Sequence, residues 1–310
     1  MSETRQVPSL SLEDYFIPSS QKLFVDQFYN ALAEFGFVVI RNHGIHPSLF
    51  KQAYRLAESL FNLPDTVKQR YETGSGQRGY ISFGKETAAG FEYPDLKEYW
   101  HIGPELPGLS PYLKDYPANI WPDEIAEFRE FFIELHQKLN NVAKQLLTAL
   151  ASAMELPADY FSEMICEGNS VQRLIHYPAL EKVAASQGVR AAAHADINLM
   201  TLLIGATDSG LQLLDRDGKW LAIENELGDL VVDTGDMMAR LTNSRLPATV
   251  HRVVNPTDNT RARYSIPFFV HPRNEVILDP LPKFVEEGSK LTTSMTAGEF
   301  LAERLRENGF

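Results

Sequence analysis

The chain of 310 residues is 44% hydrophobic and carries a formal net charge of -12. That apolar share over that length builds a sizeable core, and length alone allows about two domains. The acidic excess, with no dense basic run to offset it, argues against a nucleic-acid partner, and no segment reaches the apolar length of a membrane helix. The opening stretch Met1 to Leu10 lacks the basic-then-apolar layout of a secretory leader. A lone cysteine, Cys166, cannot close an internal disulfide and suits a reducing compartment. The expected location is cytoplasmic, and the expected role of Cys166 is packing.

In chain order, Gln21 to Phe35 and Pro47 to Phe61 carry helical apolar spacing, and Phe37 to Ile40 reads as a short buried strand between them. Gly74-Ser75-Gly76-Gln77-Arg78-Gly79 matches the dinucleotide pattern G-x-G-x-x-G letter by letter, but that pattern has meaning only between a strand and a helix. Here a helix-like segment precedes it and a strand at Tyr80 to Phe83 follows, so a mobile loop is expected and not a nucleotide site. From Pro122 to Met154 the residues Ile125, Phe128, Phe132, Leu135, Leu139, Val142, Leu146 and Leu150 recur every three or four positions. They predict one amphipathic helix laid against a β core, favoured at its start by Asp123 and Glu124 and closed by Pro157.

From Val171 to Val270 the pattern changes to short β-like runs separated by Gly, Pro, Asn and Asp, the spacing of a sandwich or jelly roll. Thr296 to Glu307 then forms a terminal helix, expected across the outside of the core. The expected fold is α+β with a mainly β core: a double-stranded β-helix, or jelly roll, backed by a long helix and an N-terminal helical subdomain. Residues 1–120 make that subdomain, 121–165 the backing helix region, and 166–310 the catalytic core with its C-terminal helix.

Chemistry concentrates in the third region. His194 and Asp196 stand at i and i+2, so on an extended strand their side chains share a face. His251 follows 55 residues after Asp196 and arrives from a distant strand. Two imidazoles and one carboxylate occupy three coordination positions and leave others open, the arrangement of non-haem Fe(II) oxygenases; zinc is the chemical competitor for the same set. Arg263 and Ser265 come next, leading into the apolar run Ile266 to Val270. An arginine so placed needs a strong buried anion, and a planar guanidinium matches a carboxylate fork, with the Ser265 hydroxyl on the same strand face.

Gly188 to Ile204 (GVRAAAHADINLMTLLI) resembles the ligand strand of the 2-oxoglutarate and Fe(II)-dependent dioxygenases of the isopenicillin N synthase-like group. Ser209 to Leu213, Gly235-Asp236 through Asn243, His251-Arg252-Val253 and Arg263 to Phe269 are similar to the segments that follow it in that family. Phe35 to Ile45, Arg78-Gly79-Tyr80 and Asp95 to Glu98 extend the similarity over nearly the whole chain. One departure is the 12-residue step from His251 to Arg263, slightly long for the family, which a longer hairpin at Asn255 to Asn259 absorbs.

The resemblance implies Fe(II) on His194, Asp196 and His251. It implies 2-oxoglutarate anchored by Arg263 and Ser265, with Tyr177 of the Tyr177-Pro178 strand end reaching a co-substrate carboxylate, and dioxygen as the oxidant. Oxidation of a small-molecule substrate, usually hydroxylation, with release of succinate and CO2 is the implied reaction. Arg78, Tyr80, His101 and Phe268 are the implied substrate-pocket residues. A monomer or weak homodimer is expected, with no nucleic-acid or membrane partner. His43, His46, His136 and His271 are expected in packed or solvated roles, and His176, on the strand face opposite Tyr177, outside the site. An iron-dependent oxidase or cyclase that does without 2-oxoglutarate, and a non-catalytic jelly-roll binding protein, are the rival readings; succinate release separates the first reading from both.

Overall fold

Short apolar runs interrupted by turn residues can hide their apolar faces only by stacking one sheet on another, and the chain does this. The computed structural model describes residues 5–74, 76–87, 92–183, 188–285 and 293–307. Among them twelve strands form: β1 (Ser9–Ser11), β2 (Phe37–Arg41), β3 (Gly79–Ile81), β4 (Glu98–Ile102), β5 (Val171–Tyr177), β6 (Ala191–His194), β7 (Met200–Ile204), β8 (Leu211–Leu214), β9 (Trp220–Ala222), β10 (Leu230–Thr234), β11 (His251–Val253) and β12 (Arg263–Val270). One sheet has eight strands in the order β1-β2-β10-β7-β12-β5-β4-β3, and the other has four in the order β6-β11-β8-β9. The N-terminal stretch expected to be helical thus also supplies both ends of the larger sheet.

The sheets face each other across a cluster drawn from both, including Phe37, Tyr99, Ile175 and Val231 on one side and Ala191, Leu213 and Val253 on the other. The period of two then sorts β12. Ile266, Phe268 and Val270 join the second core, on the helix side, while Arg263, Ser265 and Phe269 turn toward the smaller sheet.

Seven α-helices complete the described residues: α1 (Gln21–Phe35), α2 (Pro47–Phe61), α3 (Asp65–Lys68), α4 (Phe128–Ala153), α5 (Tyr160–Ile165), α6 (Asp236–Leu241) and α7 (Ala297–Glu307). The apolar stripe of α4, from Phe128 through Leu150, is buried against the larger sheet with α1 and α2, each such side chain contributing about 1.5–3 kcal/mol. Helix α4 begins at Phe128 and not at Pro122. The six residues before it are held by tertiary bonds instead: the Asp123 N–H donates to the Tyr71 hydroxyl at 3.0 Å, and the Glu124 carboxylate accepts from Tyr71 and Arg70. At its other end Glu155 takes a left-handed conformation with φ 51° and stops the helix before Pro157 is reached. Cys166 is exposed, contrary to its expected packing role, because the turn after α5 presents it to solvent; its carbonyl accepts from Arg273. No helix of the described residues is long and apolar enough to cross a membrane.

Candidate metal centre and adjoining cavity

His194 ends β6 and His251 begins β11, and the two are direct partners in the antiparallel ladder. Asp196 lies in the loop just beyond β6 and not, as the i, i+2 reading had it, on the strand. The loop nevertheless returns its carboxylate to the two imidazoles: Asp196 Oδ1 is 3.9 Å from His194 Nε2 and 3.8 Å from His251 Nε2, and one ligand atom from each residue lies within 4.8 Å of the others.

Each ligand is oriented by a neighbour. His194 Nδ1 faces the Ala192 carbonyl at 2.7 Å and His251 Nδ1 the Thr249 carbonyl at 3.2 Å. A proton on Nδ1 satisfies those contacts and leaves the Nε2 lone pairs for a metal. The Thr201 hydroxyl donates to Asp196 Oδ2, so Oδ1 remains for coordination. Burial first, and then the neighbouring His194, lower the His251 pKa to about 4, which keeps the ring neutral. The loop is fixed from behind by backbone bonds, Asp236 N–H to the Asp196 carbonyl at 2.8 Å and Met237 N–H to that of Ile197 at 3.1 Å. Gly235 permits this approach: a Cβ there would meet the Asn198 carbonyl oxygen at 2.3 Å and that of Asp196 at 2.8 Å.

A second group lies between the sheets. Arg263 pairs in register with Tyr177, and Ser265 with Ile175. All three of Arg263, Ser265 and Tyr177 are buried, Arg263 to 1% exposure, and its guanidinium lies 5.1 Å from the Tyr177 ring centroid. Arg263 Nε donates to the Asp208 carbonyl at 3.1 Å. Its Nη1 is buried with no hydrogen-bond partner, and no carboxylate of the described residues forms an ion pair with it.

A cavity of about 340 Å³ opens beside this cluster, lined in part by His194 and Asp196. Of the residues expected in a substrate pocket, Arg78 and His101 line it. Tyr80 and Phe268 do not, because strand alternation turns them to the helix side. Tyr80 donates to Glu98 there and Phe268 packs edge-on against His136, 4.9 Å between centroids. Arg263, Ser265 and Tyr177 also lie outside the cavity lining.

Several residues the sequence reading passed over do line it, notably Arg173, Phe269, His271 and Glu86. A signal for three of them existed: counting by twos along β5 from Tyr177 gives Arg173, and along β12 from Arg263 gives Phe269 and then His271. Arg173 Nε contacts His101 Nε2 at 2.6 Å, and its guanidinium lies 4.4 Å from the Tyr99 ring centroid and 3.4 Å from Glu86. Burial opposes ionisation of Glu86, yet Lys97 and Arg173 hold its carboxylate well below the usual range. His101 is held well below an ordinary histidine by burial and then by Arg173, and burial lowers His271 to about 4.

Helix α7 was expected on the outside. It packs Ala297 and Phe300 into the core and walls the cavity with Leu301, Arg304 and Leu305. A capping box starts it, the Thr296 hydroxyl accepting from Glu299 N–H at 3.2 Å while Glu299 accepts from Thr296 N–H at 2.9 Å. The Gly74 to Gly79 stretch stands before a strand and not a helix, and Gly76 and Gln77 contribute to the cavity.

Facing sheets with two histidines and an aspartate at their mouth define the non-haem Fe(II) oxygenase class. Comparison with known proteins narrows this. Residues 7–124 match the model of the non-haem dioxygenase in morphine synthesis N-terminal region, and residues 168–272 that of the 2OG-Fe(II) oxygenase superfamily. The chain is 32% identical to the proline hydroxylase buaE of Petromyces alliaceus over 97% of its own length and 98% of that protein.

Among solved structures, a 2OG-Fe(II) oxygenase family protein from Caulobacter crescentus superposes with a TM-score of 0.88 at 39% identity, covering 98% of this chain and 99% of that one. A full-length Neurospora crassa protein, solved in complex with alpha-KG and thymine, gives a TM-score of 0.85 at 25% identity, covering 99% of this chain and 98% of that one. The chain therefore belongs to the 2OG-Fe(II) oxygenase superfamily. It is an oxidoreductase of the dioxygenase type that works with Fe(II), 2-oxoglutarate and dioxygen.

Proposed function

We propose that His194, Asp196 and His251 hold the Fe(II), and that Arg263, with Ser265 and Tyr177, holds the distal carboxylate of 2-oxoglutarate. The metal assignment is supported by the donor set, two imidazole nitrogens and one carboxylate oxygen, which suits Fe(II) and leaves positions open. The observation that carries the co-substrate assignment is Arg263 itself, a buried guanidinium whose Nη1 lacks a partner. Such a group is costly to bury unless an anion completes it.

When bound, the iron and 2-oxoglutarate supply the activation of dioxygen. The overall balance is substrate C–H, 2-oxoglutarate and O2 to substrate C–OH, succinate and CO2. The chain's own residues bind and orient. Thr201 fixes the Asp196 carboxylate, the Ala192 and Thr249 carbonyls fix the two rings, and α7 with Phe269 screens the reacting position from water. Hydroxylation of a free small molecule, by a monomer or weak homodimer in the cytoplasm and with no nucleic-acid partner, completes the reading; the net charge of -12 supports the last point.

Protein loaded anaerobically with Fe(II) and 2-oxoglutarate should release succinate on exposure to oxygen, faster with a true substrate. Oxygen consumption without succinate would favour the oxidase reading, and neither would leave a binding protein.

A further inference from the structure

The charged side chains around the cavity are matched almost completely. Arg173 pairs with Glu86 at 3.4 Å, Lys97 with Asp95 at 2.8 Å, and Arg304 with Asp236 at 3.5 Å and Glu307 at 2.7 Å. Asp196 faces the two histidines. Arg78 is the exception. It is 1% exposed, lines the cavity, and has no carboxylate partner among the described residues. Its Nη2 donates to Asn169 Oδ1 at 2.5 Å and its Nη1 to the Gln77 carbonyl at 2.7 Å, while Nε is buried with no partner at all.

The fold makes room for this charge. The guanidinium lies against Gly103, where a Cβ would meet it at 2.0 to 2.4 Å, so a side chain there would displace Arg78 from its present position. Burial lowers Arg78 to about 10, which still leaves it charged at neutral pH. His271, on the same cavity, also keeps a buried Nδ1 without a partner.

Neutral acceptors alone do not offset the desolvation of a guanidinium, so the site is complete only when an anion arrives. Arg263 and Arg78 are alike in this respect, but they stand in different places. Arg263 lies outside the cavity lining, whereas Arg78 shares the cavity with the metal ligands and with apolar Val171, Phe269, Leu301 and Leu305. We infer that the substrate is a small organic monocarboxylate whose carboxylate pairs with Arg78 and whose apolar body lies against Phe269 and α7, beside the iron. This rests on the assignment of Arg263 to 2-oxoglutarate.

The test holds 2-oxoglutarate saturating and anaerobic on Fe(II)-loaded protein. Calorimetry then compares monocarboxylic acids that fit the cavity, among them benzoate, phenylacetate and 3-phenylpropionate, with their primary amides. At least one acid should bind about 30-fold or more tightly than its amide. Arg78→Gln should erase that preference and Arg78→Lys restore part of it, with 2-oxoglutarate still binding to both variants.

Equal binding of acids and amides, no acid binding at all, or an acid preference that survives Arg78→Gln would each overturn the inference. So would loss of 2-oxoglutarate binding in a folded Arg78→Gln protein, which would move Arg78 to the co-substrate. Failure of wild type to bind 2-oxoglutarate in the first step would instead strike the reading of Arg263, on which the inference stands.

Discussion

Removing the guanidinium of Arg263 tests co-substrate binding apart from iron binding. In the wild type the group is 1% exposed, with one bond to the Asp208 carbonyl and a free Nη1. A co-substrate carboxylate paired there is desolvated, so Arg263→Ala leaves a buried charge unmatched, at a cost of about 2 to 5 kcal/mol. That corresponds to a roughly 30- to 5000-fold loss of 2-oxoglutarate affinity. Arg263→Lys should recover only part of it, since an ammonium keeps the charge but not the two-pronged geometry. Fe(II) should bind to both variants, because the proposed metal ligands lie on β6, the loop after it and β11, not on β12. The assay is anaerobic calorimetry with 2-oxoglutarate on Fe(II)-loaded, folded protein. Equal affinities in wild type and Arg263→Ala would refute the reasoning and direct attention to Arg190, whose buried Nε and Nη1 also lack hydrogen-bond partners.

Thr201→Val should lower Fe(II) affinity about 10- to 100-fold by freeing Asp196 Oδ2, with melting temperature nearly unchanged; metal competition titration that finds wild-type affinity would contradict the role given to the hydroxyl. Gly235→Ala should push on the Asn198 and Asp196 carbonyls and weaken Fe(II) binding about tenfold or more, even though the backbone φ of -99° at this position suits alanine. A Gly235→Ala protein that retains iron as tightly as the wild type would show the loop to be more yielding than its contacts suggest. Acid should destabilise the metal-free protein. Burial lowers His136 from 6.5 to about 4, so between those values the unfolded chain binds the extra proton, and stability present above pH 6.5 falls away as pH drops toward 4. His136→Gln, which keeps a donor for the Ser170 carbonyl, should flatten urea-midpoint stability against pH in that window by up to about 1.4 kcal/mol per pH unit. An unchanged slope would remove His136 from the account.

The sequence by itself determined the elements whose signal is local. Apolar periodicity placed α1 and α2 and the body of α4, and alternation put Arg263 and Ser265 on one face of β12, because side-chain direction within a regular element repeats with the backbone. It also picked out His194, Asp196 and His251 as candidate metal ligands, through residue type and order, and the fold brings the three together. Tertiary contacts decided the rest. Helix α4 starts at Phe128 because Tyr71 and Arg70 capture the segment before it, partners more than 50 positions away that no window contains. Asp196 reaches the histidines from a loop whose shape is set by Gly235 and α6. Tyr80 and Phe268 left the cavity while Arg173, Phe269 and His271 entered it, since which face of a strand meets the smaller sheet is settled only when the sheets stack. The unmatched charge of Arg78 became visible only then as well, for a sequence shows that a guanidinium exists but not which carboxylates its neighbours have already taken.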